Sequence, residues 1–388
     1  MMRFIELKSC ICYHLFMFTL TPTYSPLFCK TYYISQMGSN SYSGTQKIPN
    51  VKQDDGPWKD FSKLTQRGVI QAGDRILVKR GDVWRNLHDI RLRISGKKEK
   101  PISIASYGNG KKPTLHFQPK VAGLYLHNYG NTLAHISIKD LHLEGNGSGF
   151  GVFLSHDKKG GKTSYIKCIG LDIHNFSIGL HSQANSHISI RYSNIHHNGT
   201  MGILGGVISD TLHIENNLIF ANGAKCPRQA NIYCHNIYLS YGRNIHITSN
   251  TIYQGSNFGI IVHGQVSDLY IRKNNIFANH NGIGVDPGYV QQAENFYNVI
   301  IENNYIHNNS GSWILSFQSI HHLRFRYNVI QNQPYGNIVI RKRETGDAKL
   351  EDVEISHNIF LGIGKLFHIQ EKVDKNKWKI ENNWITYK

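Results

Sequence analysis

Residues 270–289 read YIRKNNIFANHNGIGVDPGY, and most of that phrase recurs along the chain with other residues in its gaps. Two apolar residues two apart, Leu269 and Ile271, open this copy; Asn274, Ile276 and the run Gly282-Ile283-Gly284-Val285 follow, and Asp286 closes it. Equivalent openings stand at Ile136, Ile166, Ile188, Leu212, Ile245, Leu269, Val299, Leu323, Val353 and Trp378, separated by 22 to 33 residues. Five residues after the opening comes Asn217, Asn250, Asn274, Asn304, Asn328, Asn358 or Asn383, in seven of the ten copies. Seven after it stands a third apolar residue such as Ile195, Ile219, Ile252, Ile276, Ile306 or Ile330.

Apolar residues at period 2 face one side of a strand, so each repeat encodes short strands joined at polar corners. A period of this length with three short strands per coil predicts an all-β parallel β-helix of about ten coils. The leucine-rich alternative fails because its L-x-x-L-x-L frame is absent. Like positions then stack at about 4.8 Å, so each Asn can bond the Asn of the next coil and satisfy the corner between them.

Solenoid ends need a cover. Pro57, with Trp58, Phe61 and Leu64 at helical spacing, predicts an amphipathic capping helix over 57–67, after which the ILVKR strand begins the stack. Three segments follow: a signal peptide over 1–30, a cap with the first coils over 31–120, and the repeats over 121–388. The leader carries Arg3 and Lys8, an apolar run from Ile11 to Leu20 and a polar exit, which predicts export to the periplasm or the extracellular space. That run is too short to span a bilayer, so no transmembrane segment is expected. Cys10, Cys12 and Cys29 belong to the leader and Cys168 falls at an inward position. Cys226 and Cys234 either close a small loop disulfide in an exported protein or remain two free thiols.

The 388 residues carry a formal charge of +17, which calls for an acidic partner. Basic residues are scattered rather than blocked, and zinc-finger spacing, an RNA-binding signature and an Arg-rich tail are all missing, so nucleic acid is not expected. An acidic polysaccharide, bound by a monomer, fits better.

The segments YYISQMGSNSYSGTQ, PWKDFSKL, AGDRILVKRGDVWR and PISIASYGNGKKPTLHF, in that order before the Asn-cornered repeat, resemble secreted right-handed parallel β-helix proteins of the pectate-lyase-like superfamily. The resemblance covers about residues 31–388. It implies a right-handed coil, an Asn ladder between the second and third sheets, and an active-site groove along the first sheet, here the G-I-x-V strands.

On such a strand the residues between and after the apolar pair point outward. The position after it gives His181, Gly206, Ser240, His263, Asp286 and Arg341; the position between gives Tyr238, with His235 just before that strand. His263 and Asp286 are expected side by side, a carboxylate orienting an imidazole for proton transfer. The candidate catalytic set is His263, Asp286, Tyr238 and His235. His181, Ser240 and the basic run Arg341, Lys342, Arg343 are candidate substrate contacts, since an Arg fork suits a substrate carboxylate. The outward residues of the I-x-I strands, Arg191, Glu215, Thr248, Arg272, Glu302 and Arg326, read instead as a structural ion-pair ladder.

Breaking a uronate polymer by β-elimination needs neutralisation of the C6 carboxylate, a base for the C5 proton and an acid for the leaving oxygen. The column can supply these, so the sequence favours a polysaccharide lyase. Hydrolysis needs two carboxylates, and the N-T-D, D-D, G-H-G and R-I-K motifs of polygalacturonases are missing, with only His263-Gly264 in common. Asp286-Pro287 matches the D-P of the alginate C5-epimerase motif but not its flanking Tyr and His. A glycan-binding or adhesion solenoid without catalysis is the alternative from another class. Some lyases of this superfamily bind Ca2+ through clustered oxygen ligands; no such cluster stands out, and Ca2+ stays unassigned.

Overall fold

The computed structural model describes residues 29–127, 130–154, 161–208, 210–226, 234–286, 296–311, 315–317, 319–332, 338–340, 350–369 and 377–387. The leader calls, apart from Cys29, fall outside these residues, as do Arg341, Lys342 and Arg343.

Every strand pairing between coils is parallel, and three stacks run along the solenoid. The I-x-I segments form the second stack, as in Ser186–Arg191, Asp210–Glu215 and Phe296–Glu302. Three-residue strands such as His142–Glu144, Asp172–His174 and Asn194–His196 form the third. The G-I-x-V segments form the first, as in Ile178–Gln183, Met201–Ile208 and Asn281–Val285. Strands Ile237–Thr248 and Phe258–Arg272 run from the first stack into the second without a break. Hydrogen bonding therefore joins those two into one 22-stranded sheet beside a separate 12-stranded one.

Twelve strands in the third stack mean more turns than the ten counted from the repeat, because the coils before Ile136 went uncounted, although Ile102 and Ile104 pair in register with Ile136 and Ile138. The stack also begins earlier than ILVKR: Thr31–Ile34 pairs parallel with Arg75–Lys79, Ile34 opposite Val78. Two apolar columns from each of the first and second stacks and one from the third fill the interior, and Ile188, Ile214, Ile271, Ile276 and Val285 are fully buried. Cys168 lies in the same core, where burial pushes its thiol up to about 12.

Two corners per coil are built alike. The ladder runs unbroken from Asn217 through Asn250, Asn274, Asn304, Asn328 and Asn358 to Asn383, each side-chain amide donating to the Oδ1 of the next at 3.0 Å. The residue before each Asn is left-handed without being glycine, as at Asn216 (φ 56°), Lys273 (55°) and Tyr327 (56°). That conformation is unfavourable for such residues, and the ladder holds it. A second ladder, between the third and first stacks, was missed in the sequence: Asn198, Asn222, Asn236, Asn279 and Asn309 bond in series. Four of these lie three residues after the third apolar position, a signal that was present. Asn236 comes from the long insertion and fills the place of Gly255, where an added Cβ would lie 2.7 Å from the Asn236 amide.

The capping helix expected over 57–67 is not formed; the segment makes only a 3-10 turn, Ser62–Thr65. Trp58 is held extended in a parallel bridge to Ile34, and the Asp60 carboxylate takes the Ser62 N–H at 2.9 Å, closing a turn before a helix can start. Trp58, Phe61 and Leu64 are buried all the same, Trp58 stacked on Tyr32 at 4.4 Å, and they cover the N-terminal end of the core.

The ion-pair column forms as read. Arg191 meets Glu215 at 2.9 Å, and Glu302 lies between Arg272 and Arg326 at 2.9 Å from each. These partly exposed pairs belong to the surface of the second stack and contribute little stability individually.

Candidate functional site

Val262 pairs in register with Val285, which places the next residues, His263 and Asp286, side by side on the outer face of the first stack. The Asp286 N–H donates to the Val262 carbonyl, continuing the ladder one residue past the strand. His263 Nδ1 lies 2.8 Å from Asp286 Oδ1 and 3.0 Å from the Asp286 carbonyl. The carboxylate is 9% exposed and the imidazole 20% exposed, so the acid sits behind the ring rather than in front of it. Such a contact fixes the tautomer with Nδ1–H toward the acid and the lone pair on Nε2.

The ground around the pair is shaped by backbone. Ser240 is in register with His263, and Gly242 with Val266, so Gly264 and Gln265 together oppose Tyr241 in a bulge. Gly264 has φ 76°, and a Cβ there would lie 3.0 Å from the Tyr241 ring. Next to Ser240 in the column comes Gly206, where a Cβ would have 3.8 Å of clearance. Small residues thus leave an open shelf beside the imidazole. Tyr238 borders it, its ring 5.3 Å from that of His263.

Other candidates are placed differently. His235 is 1% exposed and accepts the Phe258 N–H at Nδ1, 3.3 Å away, so it supports the strand from beneath instead of facing a substrate. The sequence alignment put His181 in the column of His263, whereas the register pairs it with Leu204, and Leu204 with Tyr238. Gln183, not His181, stands opposite Gly206. His181 is therefore about 14 Å from the His263 coil, three spacings of ~4.8 Å. There its ring lies 5.0 Å from Phe153, and Phe153 lies 5.2 Å from Tyr125. Cys226 and Cys234 are joined in a disulfide with Cα atoms 6.3 Å apart, one residue before His235.

Asp286 is the one carboxylate among the described residues of the two outward columns between His181 and Ser316. A Ca2+ ion takes six to eight oxygen ligands, and among the described residues no group of three His, Cys, Asp or Glu gathers at Asp286.

A family described as "right handed beta helix region" matches residues 229–360. Solved structures agree over far more of the chain. The fold is a right-handed parallel β-helix. A GH136 lacto-N-biosidase from Eubacterium ramulus superposes with TM-score 0.59 at 16% identity, covering 92% of this chain and 68% of its own. The A-module of the Azotobacter vinelandii mannuronan C-5 epimerase AlgE4 gives 0.56 at 14%, with 81% and 88% covered. Pectate lyase Pel9A gives 0.52 at 13%, with 92% and 80% covered. No curated protein sequence matches the chain. This right-handed β-helix is thus similar in fold to proteins whose reactions differ, and the reaction must be argued from the site. Among the described residues, no helix is long and apolar enough to cross a membrane.

Proposed function

We propose that this protein is an exported enzyme that cleaves an acidic, uronate-containing polysaccharide by β-elimination at His263. The carrying observation is the 2.8 Å contact between His263 Nδ1 and the nearly buried Asp286 carboxylate, beside an open shelf on the first stack. Held this way, the Nε2 lone pair takes the C5 proton of a uronate residue. The electron pair released forms the C4=C5 double bond, and the C4–O bond breaks toward the leaving sugar. Tyr238, against the imidazole, gives the leaving oxygen its proton, and the proton held by His263 then passes through water to Tyr238, restoring both groups. Arg341, Lys342 and Arg343 would answer the substrate carboxylate, and the net charge of +17 favours a polyanion. Pectate lyase Pel9A and the mannuronan epimerase share the fold, and both act on uronates by name. The Cys226–Cys234 disulfide and the leader-like N-terminus support export.

Among the described residues Asp286 is the one carboxylate of these columns, which favours elimination over the two-carboxylate hydrolysis. Epimerisation begins with the same proton abstraction, and the juxtaposition of His263 and Tyr238 gives it two proton carriers at one carbon. One experiment separates the outcomes. The purified chain is incubated in D2O with polygalacturonate, alginate and rhamnogalacturonan, following ultraviolet absorbance of unsaturated ends and deuterium at C5. Absorbance that grows with wild type and not with His263→Gln is the expected result. Deuterium incorporation without cleavage would replace elimination by epimerisation. Intact, unlabelled glycan retained by the protein would replace catalysis by binding.

A further inference from the structure

A second cluster of titratable groups lies on the outer face of the third stack, away from the His263 face. Strand His142–Glu144 pairs with Asp172–His174, Glu144 opposite His174 and His142 opposite Asp172. Residues 142 and 144 flank the inward Leu143 and so share the outer face. His142 Nε2 and His174 Nε2 point at each other across 2.7 Å. One ligand atom from each of His142, His174 and Glu144 lies within 4.8 Å of the other two.

We propose that His142, His174 and Glu144 form a binding site for a divalent transition-metal ion of the zinc class. Ligand bonds of about 2.0–2.2 Å place donors about 3 Å apart around a metal, and the two imidazole nitrogens already stand 2.7 Å apart. The donor set of two imidazoles and one carboxylate suits zinc rather than Ca2+ or Mg2+.

Outer partners are in place. Thr114 Oγ1 lies 3.4 Å from His142 Nδ1, able to accept its N–H and fix the metal-binding tautomer. His116 Nδ1 holds Glu144 Oε2 at 3.0 Å, leaving the other oxygen for a metal. His196 Nε2 engages Asp172 at 3.1 Å behind the pair.

Plain aromatic packing does not account for this geometry. Further along the stack Phe220, Tyr253, Phe277 and His307 lie face to face, with interplanar angles of 2° to 8°. His142 and His174 are instead tilted by 38°, nitrogen toward nitrogen. An ion there would cross-link two adjacent coils as a structural staple, on a face other than that of His263.

The untagged chain, stripped with chelator, is titrated with Co2+ and with Zn2+, reading visible Co2+ absorption, stoichiometry and melting temperature. Wild type should bind one equivalent tightly and melt higher with Zn2+. His142→Gln and His174→Gln should each weaken binding by more than the about 10–100-fold that loss of an outer partner costs, and lose the Zn2+ shift. His307→Gln, in the same stack, should change nothing. Should a His variant melt far lower without metal, Glu144→Gln, which keeps volume and the His116 contact, still has to weaken binding. Equal binding by wild type and the site variants, or no stoichiometric binding by wild type, overturns the proposal.

Discussion

Asn274→Ala tests what holds the coils in register. Asn274 is 1% exposed, and its Oδ1 accepts the Asn250 N–H at 2.9 Å and the Asn250 amide at 3.0 Å. Its own amide donates to the Ile247 carbonyl at 2.8 Å and to Asn304 Oδ1. After truncation Asn304 Oδ1 still accepts the Asn274 N–H, and the Asn250 amide still reaches the Ile214 carbonyl. Two buried groups then lose their side-chain partner, the Asn250 N–H and the Ile247 carbonyl. At about 1–3 kcal/mol for each buried orphan, the loss is about 2–6 kcal/mol. Asn383→Ala likewise strips the Asn358 N–H and the Ile355 carbonyl, but at a partly exposed terminal corner that water can reach. Its cost should stay below about 1 kcal/mol. Urea unfolding followed by tryptophan fluorescence measures both, and hydrogen exchange reads the Asn250 amide directly. Equal losses for the two variants would refute the reasoning, because cost would then follow the deleted bonds and not the desolvated orphans.

Asp286→Asn should lower turnover on whichever uronate polymer the wild type cleaves by about 100- to 10,000-fold with an unchanged melting temperature; undiminished turnover removes the pair from the chemistry. Gly264→Ala places a side chain at φ 76° against the Tyr241 ring, and should cost about 1–2 kcal/mol by calorimetry while slowing the same reaction. His246, stacked between His213 and Tyr270, is held below the ordinary imidazole range, first by burial and then by His213 and Arg272. Its folded form thus binds its proton less readily than the unfolded chain does, so stability should fall as pH drops below about 6.5. His246→Gln should flatten that fall in melting temperature measured against pH.

The chain's sequence by itself determined the coil. Alternation of apolar residues and a corner Asn at fixed offset are local, period-2 signals, and they specified the core, the first Asn ladder, the Arg-Glu-Arg column and the neighbourhood of His263 and Asp286. Register across coils was left to tertiary structure. A slip of two residues preserves which side chains face in, so His181 looked equivalent to Gly206 when Gln183 is. What settles it is packing: Ser182 turns inward with its hydroxyl accepting the Asn185 amide at 3.1 Å, a bond invisible in the repeat. The burial of His235, the insertion of Asn236 in place of Gly255 and the meeting of His142 with His174 share that origin. Their partners are tens of residues apart and become neighbours only because each turn of chain returns about 4.8 Å above the last.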